Sequence, residues 1–147
     1  MREVLSVHGT SAISERLDAI LAGLPSFWYT TRVIGEKRLP ARFYRTSGGT
    51  EPVREWLKGL DASDRRIVGA DIKEIEFDWP VGMPLCRPVG QRLWEVRSNI
   101  SRGRIARVMF CIAGGEMVLL HGFVKKSQKT PRPDLELALR RKKEVGR

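Results

Sequence analysis

The sequence predicts one α+β domain: an N-terminal helical hairpin packed on a small curved antiparallel sheet, with a C-terminal helix. Three observations lead there. Apolar residues recur at helical spacing on both sides of a brief break near residue 62, so two short helices fold back on one another. After residue 92 the period changes to that of strands, with turn residues between three runs. The chain has 147 residues, 41% of them hydrophobic, which suffices for one modest core but not for two ordinary ones.

Ser11 to Leu24 reads as a short helix, with Ser11 and Ser14 as caps and Ile13, Leu17, Ile20, Leu21 and Leu24 as its apolar face. Gly23 and Pro25 end it. The aromatic run Phe27-Trp28-Tyr29 suits a strand, a packing arm or an exposed patch. A polar passage, Gly35-Glu36-Lys37-Arg38, separates this leader (residues 1–38) from the domain expected over residues 39–147.

That domain opens with a short strand candidate, Leu39–Arg45, followed by a turn at Ser47-Gly48-Gly49. Thr50 or Glu51 starts a helix with Pro52 in its first turn, where the missing N–H has no intrahelical partner. Val53, Trp56, Leu57 and Leu60 should face the core. Asp64 to Phe77 is the second helix, with Ile67, Val68, Ile72, Ile75 and, at the margin, Phe77 turned inward. Glu74 and Glu76 read as surface residues whose spacing does not pair them. Pro80, Gly82 and Pro84 end the helical section. Strands are then expected where Leu93, Trp94 and Val96 lead into Arg97, Ser98 and Asn99, and at Arg104–Ile112 and Met117–Val124, in an antiparallel meander with the helices on one face. Gly114-Gly115 is a strong hairpin signal and Arg102-Gly103 a weaker one. Arg132–Lys143 completes the domain as a helix.

Charge narrows the function. The net charge is +10 and the pI near 10.3, unevenly spread. Residues 1–39 hold five basic and four acidic residues, whereas residues 125–147 hold nine and three. Such a balance attracts polyanions. An acidic protein partner or an anionic membrane surface fits the charge too, but Leu135, Leu137, Ala138 and Leu139 favour docking of the tail onto the body. No run is apolar for long enough to span a bilayer, and no secretion signal is legible, so a cytoplasmic protein without membrane contact is expected. Cys86 and Cys111 have no metal-ligand spacing and read as reduced, Cys111 in the core. With His8 and His121 as the only histidines, neither a metal nor another cofactor is expected.

Helices on one face leave the other face of the sheet for solvent or a ligand. Basic residues gather in this region: Arg87 and Arg92 at its entry, Arg97, Arg104 and Arg107 on or beside the strands, and Lys125, Lys126, Lys129 and Arg132 after the last. Sequence register does not decide which strand arginines share a face, since a one-residue slip reverses every side chain. Several Arg and Lys groups in one place suit a phosphodiester. RNA cleavage by its own 2′-hydroxyl also needs a base and an acid. His121 has a suitable intrinsic pKa but reads equally as a structural histidine, and a lysine among like charges is the second candidate. Trp79 and Trp94 offer base-stacking surfaces, although Trp94, between Leu93 and Val96, reads more readily as core.

Several stretches carry a family pattern: Leu39-Pro40-Ala41-Arg42-Phe43-Tyr44, Pro52-Val53-Arg54-Glu55-Trp56-Leu57, Trp79-Pro80-Val81-Gly82-Met83-Pro84, Leu93-Trp94-Glu95-Val96-Arg97, Arg104-Ile105-Ala106-Arg107-Val108 and the run from Leu120-His121-Gly122 to Lys129-Thr130-Pro131. In this order they resemble the phage-derived Gp49-like (HigB-type) branch of the RelE/ParE toxin superfamily, over more than two-thirds of the chain. The resemblance implies a RelE-like fold and an mRNA interferase that cleaves messenger RNA at the ribosome and is silenced by a helix-turn-helix antitoxin. By position it implies the family-type arginines at Arg97 and Arg107 and the basic group at Lys125, Lys126 and Lys129. Together with the clustering of basic residues, catalytic positions are expected at Arg97, Arg107, Lys125, Lys126 and His121, and RNA-binding positions at Arg87, Arg92, Arg104, Lys129 and Arg132. Many ribonuclease members carry a tyrosine or histidine near the C-terminal end; no tyrosine follows Tyr44, so that role is empty or is filled by His121 or a lysine. A gyrase-inhibiting branch shares the fold, so a non-enzymatic toxin and a basic nucleic-acid-binding accessory protein stand as alternatives.

Overall fold

A computed structural model describes residues 36–125 and 129–146. The leader helix and the aromatic run at Phe27 lie outside the described residues. Five strands form one sheet: β1 (Ala41–Phe43), β2 (Cys86–Gly90), β3 (Leu93–Asn99), β4 (Ile105–Ala113) and β5 (Glu116–Lys125). Helices α1 (Pro52–Lys58) and α2 (Ala62–Asp78) lie between β1 and β2 in sequence, and α3 (Arg132–Val145) follows β5. The sheet order is β1-β5-β4-β3-β2, with β2 to β5 an antiparallel meander and β1 parallel to β5.

The helices stand close to their expected places and, as expected, pack on the sheet. α1 lies on β5 and β1, and α2 lies on β3. Val53 and Leu57 from α1 and Val68, Ile72 and Ile75 from α2 join Val96, Val108, Phe110 and Leu119 in the larger core. Ile67, expected inward, is exposed, and Glu76, expected at the surface, is buried. The reason for Glu76 is local: its carboxylate accepts the Ala41 backbone N–H at 2.6 Å and lies 3.3 Å from Lys37 Nζ, so it anchors the chain leading into β1. Burial pushes its carboxyl above the usual range, against the pull of Lys37.

The expectation of helices on one face needs correction. α3 packs on β4 and β5 through a second core of Met109, Cys111, Val118, Leu120 and Ala138, with Leu135 and Leu139 beside it. These strand residues alternate with those of the larger core, so α3 covers part of the opposite face. Arg141 donates to the Leu120 carbonyl at 2.8 Å, and the Tyr44 hydroxyl donates to the Glu144 carboxylate. Cys86 and Cys111 are buried free thiols, one in each core.

β2 was not legible because Cys86–Gly90 has a single β-branched residue and a proline. As an edge strand it tolerates Pro88. Trp79, Trp94 and Phe110 form an aromatic cluster with centroids 5.7 to 5.9 Å apart, so both tryptophans pack against the core.

β5 carries one irregularity. Phe110 is opposite Leu119 while Met109 is opposite His121, so Leu120 is an extra, bulged residue. The bulge resets the alternation: Leu120 and His121 both face α3, and Gly122 turns to the α1 face. There Trp56 lies so close that a Cβ on Gly122 would meet its ring at 2.3 Å.

Candidate functional site

The α3 face has a charged end that α3 does not fill with apolar side chains. Arg97 on β3 and Arg107 on β4 are register partners, and like charges opposite one another repel. Glu95, two residues before Arg97 and therefore on the same face, offsets that repulsion. Its Oε1 lies 3.0 Å from Arg87 Nε and 3.9 Å from Arg97 Nε, and its Oε2 lies 3.7 Å from Arg107 Nη1. Glu95 and Arg107 have no exposed side-chain surface, whereas Arg97 is 15% and Arg87 30% exposed. The cluster thus presents its outer arginines and hides the inner one.

Thr130, just before α3, completes the cluster. Its hydroxyl donates to Glu95 Oε2 at 2.8 Å and accepts from Arg87 Nη2 and Arg107 Nη1, each at 3.4 Å. Burial holds the Arg107 guanidinium below the usual arginine range, while Glu95 pulls it up and Arg97 and Arg87 push it down. Arginine keeps its charge even so.

His121 lies further along the same face, opposite Met109. Its Nε2 is 2.6 Å from Asp134 Oδ1 in the first turn of α3, and its ring stacks on Phe123, the register partner of Arg107. Phe123 therefore adjoins both the imidazole and Arg107.

The remaining predicted residues divide. The Lys125 backbone closes β5 opposite Ile105, at the cluster's end of the sheet. Lys126 lies outside the described residues. Lys129 is exposed one residue before Thr130. Arg132 is 87% exposed and reaches Glu136 at 3.0 Å. Arg92 is exposed at the β2–β3 turn, at the end of β3 away from Arg97. Arg104 is drawn elsewhere: its Nη2 is 2.7 Å from Asp64 Oδ2, and Asp64 also accepts the Ser101 N–H and hydroxyl. That network ties the β3–β4 connection to the start of α2.

Sequence reasoning missed Glu95, Thr130 and Asp134. The signal for Glu95 was an acidic residue inside an apolar strand, two positions from an arginine. Among the described residues, no group of three or more His, Cys, Asp or Glu side chains is placed to hold a metal ion. No helix among them is long and apolar enough to cross a membrane.

A family model described as Phage derived protein Gp49-like (DUF891) matches residues 55–143, more than half of the chain. The chain belongs to the Gp49-like family. The matched span holds α1 from Glu55, all of α2, β2 to β5 and most of α3, and with them every residue of the arginine cluster and the His121–Asp134 pair. A search of curated proteins found none that matches the chain. Membership in the Gp49-like family is compatible with the toxin half of a toxin–antitoxin pair, and such a toxin has a cognate antitoxin as partner.

Proposed function

We propose that this Gp49-like chain is the toxin of a type II toxin–antitoxin module and acts as an endoribonuclease on mRNA engaged with the ribosome. The observation that carries this reading is the convergence of Arg87, Arg97 and Arg107 on the single Glu95 carboxylate. Three guanidinium groups and one carboxylate make a positively charged cluster with its outer members partly exposed. That arrangement suits a phosphodiester, whose oxygens accept paired N–H donors.

In the proposed reaction the ribose 2′-oxygen bonds to the neighbouring phosphorus and the bond to the 5′-oxygen breaks. The products are a 2′,3′-cyclic phosphate and a 5′-hydroxyl. One proton leaves the 2′-hydroxyl and another reaches the 5′-oxygen. Arg97 and Arg87 stabilise the phosphorane charge, with Arg107 held behind them. His121, oriented by Asp134, is the candidate for proton transfer, and Lys125 and Lys126 add cationic charge. Arg92, Lys129 and Arg132 extend the basic surface for RNA. Arg104 is left out because Asp64 engages it. The antitoxin, a helix-turn-helix protein in this reading, silences the site by covering it with acidic or amphipathic chain.

Induction in bacterial cells, alone and with the antitoxin gene, tests this. Growth arrest with new mRNA 5′ ends that vanish with Arg97→Ala supports the ribonuclease reading. Arrest with intact mRNA shifts the assignment to a non-enzymatic toxin such as a gyrase inhibitor. Absence of arrest leaves a basic nucleic-acid-binding protein.

A further inference from the structure

We infer that Glu95 is a positioning residue for the arginine cluster and that Thr130 links this cluster to the start of α3. The inference rests on the reading of the cluster as a phosphate-binding site and adds the group that gives the site its shape. The two oxygens of Glu95 divide the work. Oε1 faces the outer arginines, Arg87 at 3.0 Å and Arg97 at 3.9 Å. Oε2 takes the Thr130 hydroxyl at 2.8 Å and lies 3.7 Å from the inner Arg107.

Geometry makes this more than charge balance. Arg97 and Arg107 are opposed across the β3–β4 pair and would splay apart if nothing of opposite sign reached both. A guanidinium held along one edge presents its remaining N–H groups in a set direction, so an incoming phosphate meets an array that is already oriented. Thr130 brings a hydroxyl from outside the sheet to the same carboxylate, so β2, β3, β4 and the approach to α3 are registered at one point. Glu95 itself is not placed to take a substrate proton, because both oxygens are engaged and its side chain has no exposed surface.

The test uses the full chain and compares Glu95→Gln, Glu95→Asp and Thr130→Val with the wild type. A double variant, Glu95→Met with Arg107→Met, removes the buried pair together and is read against Arg107→Met alone. Two readouts are taken: kcat and KM on mRNA bound to ribosomes, and NMR signals of the arginine Nε–H groups of the protein during titration with inorganic phosphate. In Glu95→Gln, kcat should fall by about tenfold or more while KM holds or falls, because the site loses orientation but becomes more cationic. Glu95→Asp should recover part of kcat, and the ordered Nε–H signal of Arg87 should be lost in Glu95→Gln and in the double variant but kept in Arg107→Met.

A folded Glu95→Gln with wild-type kcat and unchanged arginine signals overturns the inference. Should Glu95→Gln fail to fold, retention of the Arg87 signal in the double variant overturns it and loss of that signal supports it. If the wild type does not cut ribosome-bound mRNA, the ribonuclease reading fails, and the arginine signals with and without phosphate still decide the role of Glu95.

Discussion

Arg97 and Arg107 stand directly opposite each other across the β3–β4 pair, and one Glu95 carboxylate reaches both guanidinium groups. Their burial differs, and this separates their roles. Arg107→Ala removes a fully buried cation that packs beside Glu95, so it should destabilise the fold by roughly 3 kcal/mol. Arg97→Ala, partly exposed, should cost about 1 kcal/mol or less yet abolish RNA cleavage. Urea unfolding paired with a cleavage assay checks both.

Asp64 should make the fold acid-sensitive. Its carboxyl is held below the ordinary value of 3.8, first by the Ser101 backbone N–H, then by the Ser101 hydroxyl and Arg104, against a desolvation that raises it. A depressed acid contributes stability that is fully present above its unfolded pKa and is lost as pH falls through the folded one. Asp64→Asn should therefore lower the urea midpoint at neutral pH and narrow its gap from the wild type near about pH 3. An equal gap at both pH values would refute this.

Gly122 is required by Trp56. The ring atoms Cε3, Cζ3 and Cδ2 lie 2.3, 2.6 and 2.7 Å from where a Cβ would stand. Gly122→Ala must displace the indole and α1 with it, at a cost of roughly 1–3 kcal/mol. A lowered melting temperature with a shifted tryptophan emission is the expected result.

The two-residue turn between β2 and β3 carries strain. Gln91 and Arg92 both have left-handed backbone, with φ of 53° and 60°, where Asn-Gly is the favoured pair. Gln91→Asn with Arg92→Gly should stabilise the chain by about 1 kcal/mol. If Arg92 also guides RNA, the same variant should bind RNA more weakly at low salt, measurable by fluorescence anisotropy.

Legibility followed the range of the forces involved. α1 declared itself through Pro52 and the spacing of Val53, Trp56 and Leu57, and the Gly114-Gly115 turn through its residues, with φ of 60° and 75°. Both are local effects. Ile67 and Glu76 were misread because the helical period of α2 says which residues share a stripe but not that β1 would bring the Ala41 N–H to meet a buried carboxylate.

Periodicity, turn chemistry and composition are enough to set the α+β class, the order of the helices and the meander, and a concentration of basic residues along the second half of the chain. Which charges meet depends instead on how distant segments pair. The β3–β4 register puts Arg97 beside Arg107, and the Leu120 bulge turns His121 toward α3 and Asp134. Side chains in a strand alternate with a period of two, so one residue of register or one bulge moves a functional group to the opposite face. That choice is made by pairing and packing between segments far apart in the chain.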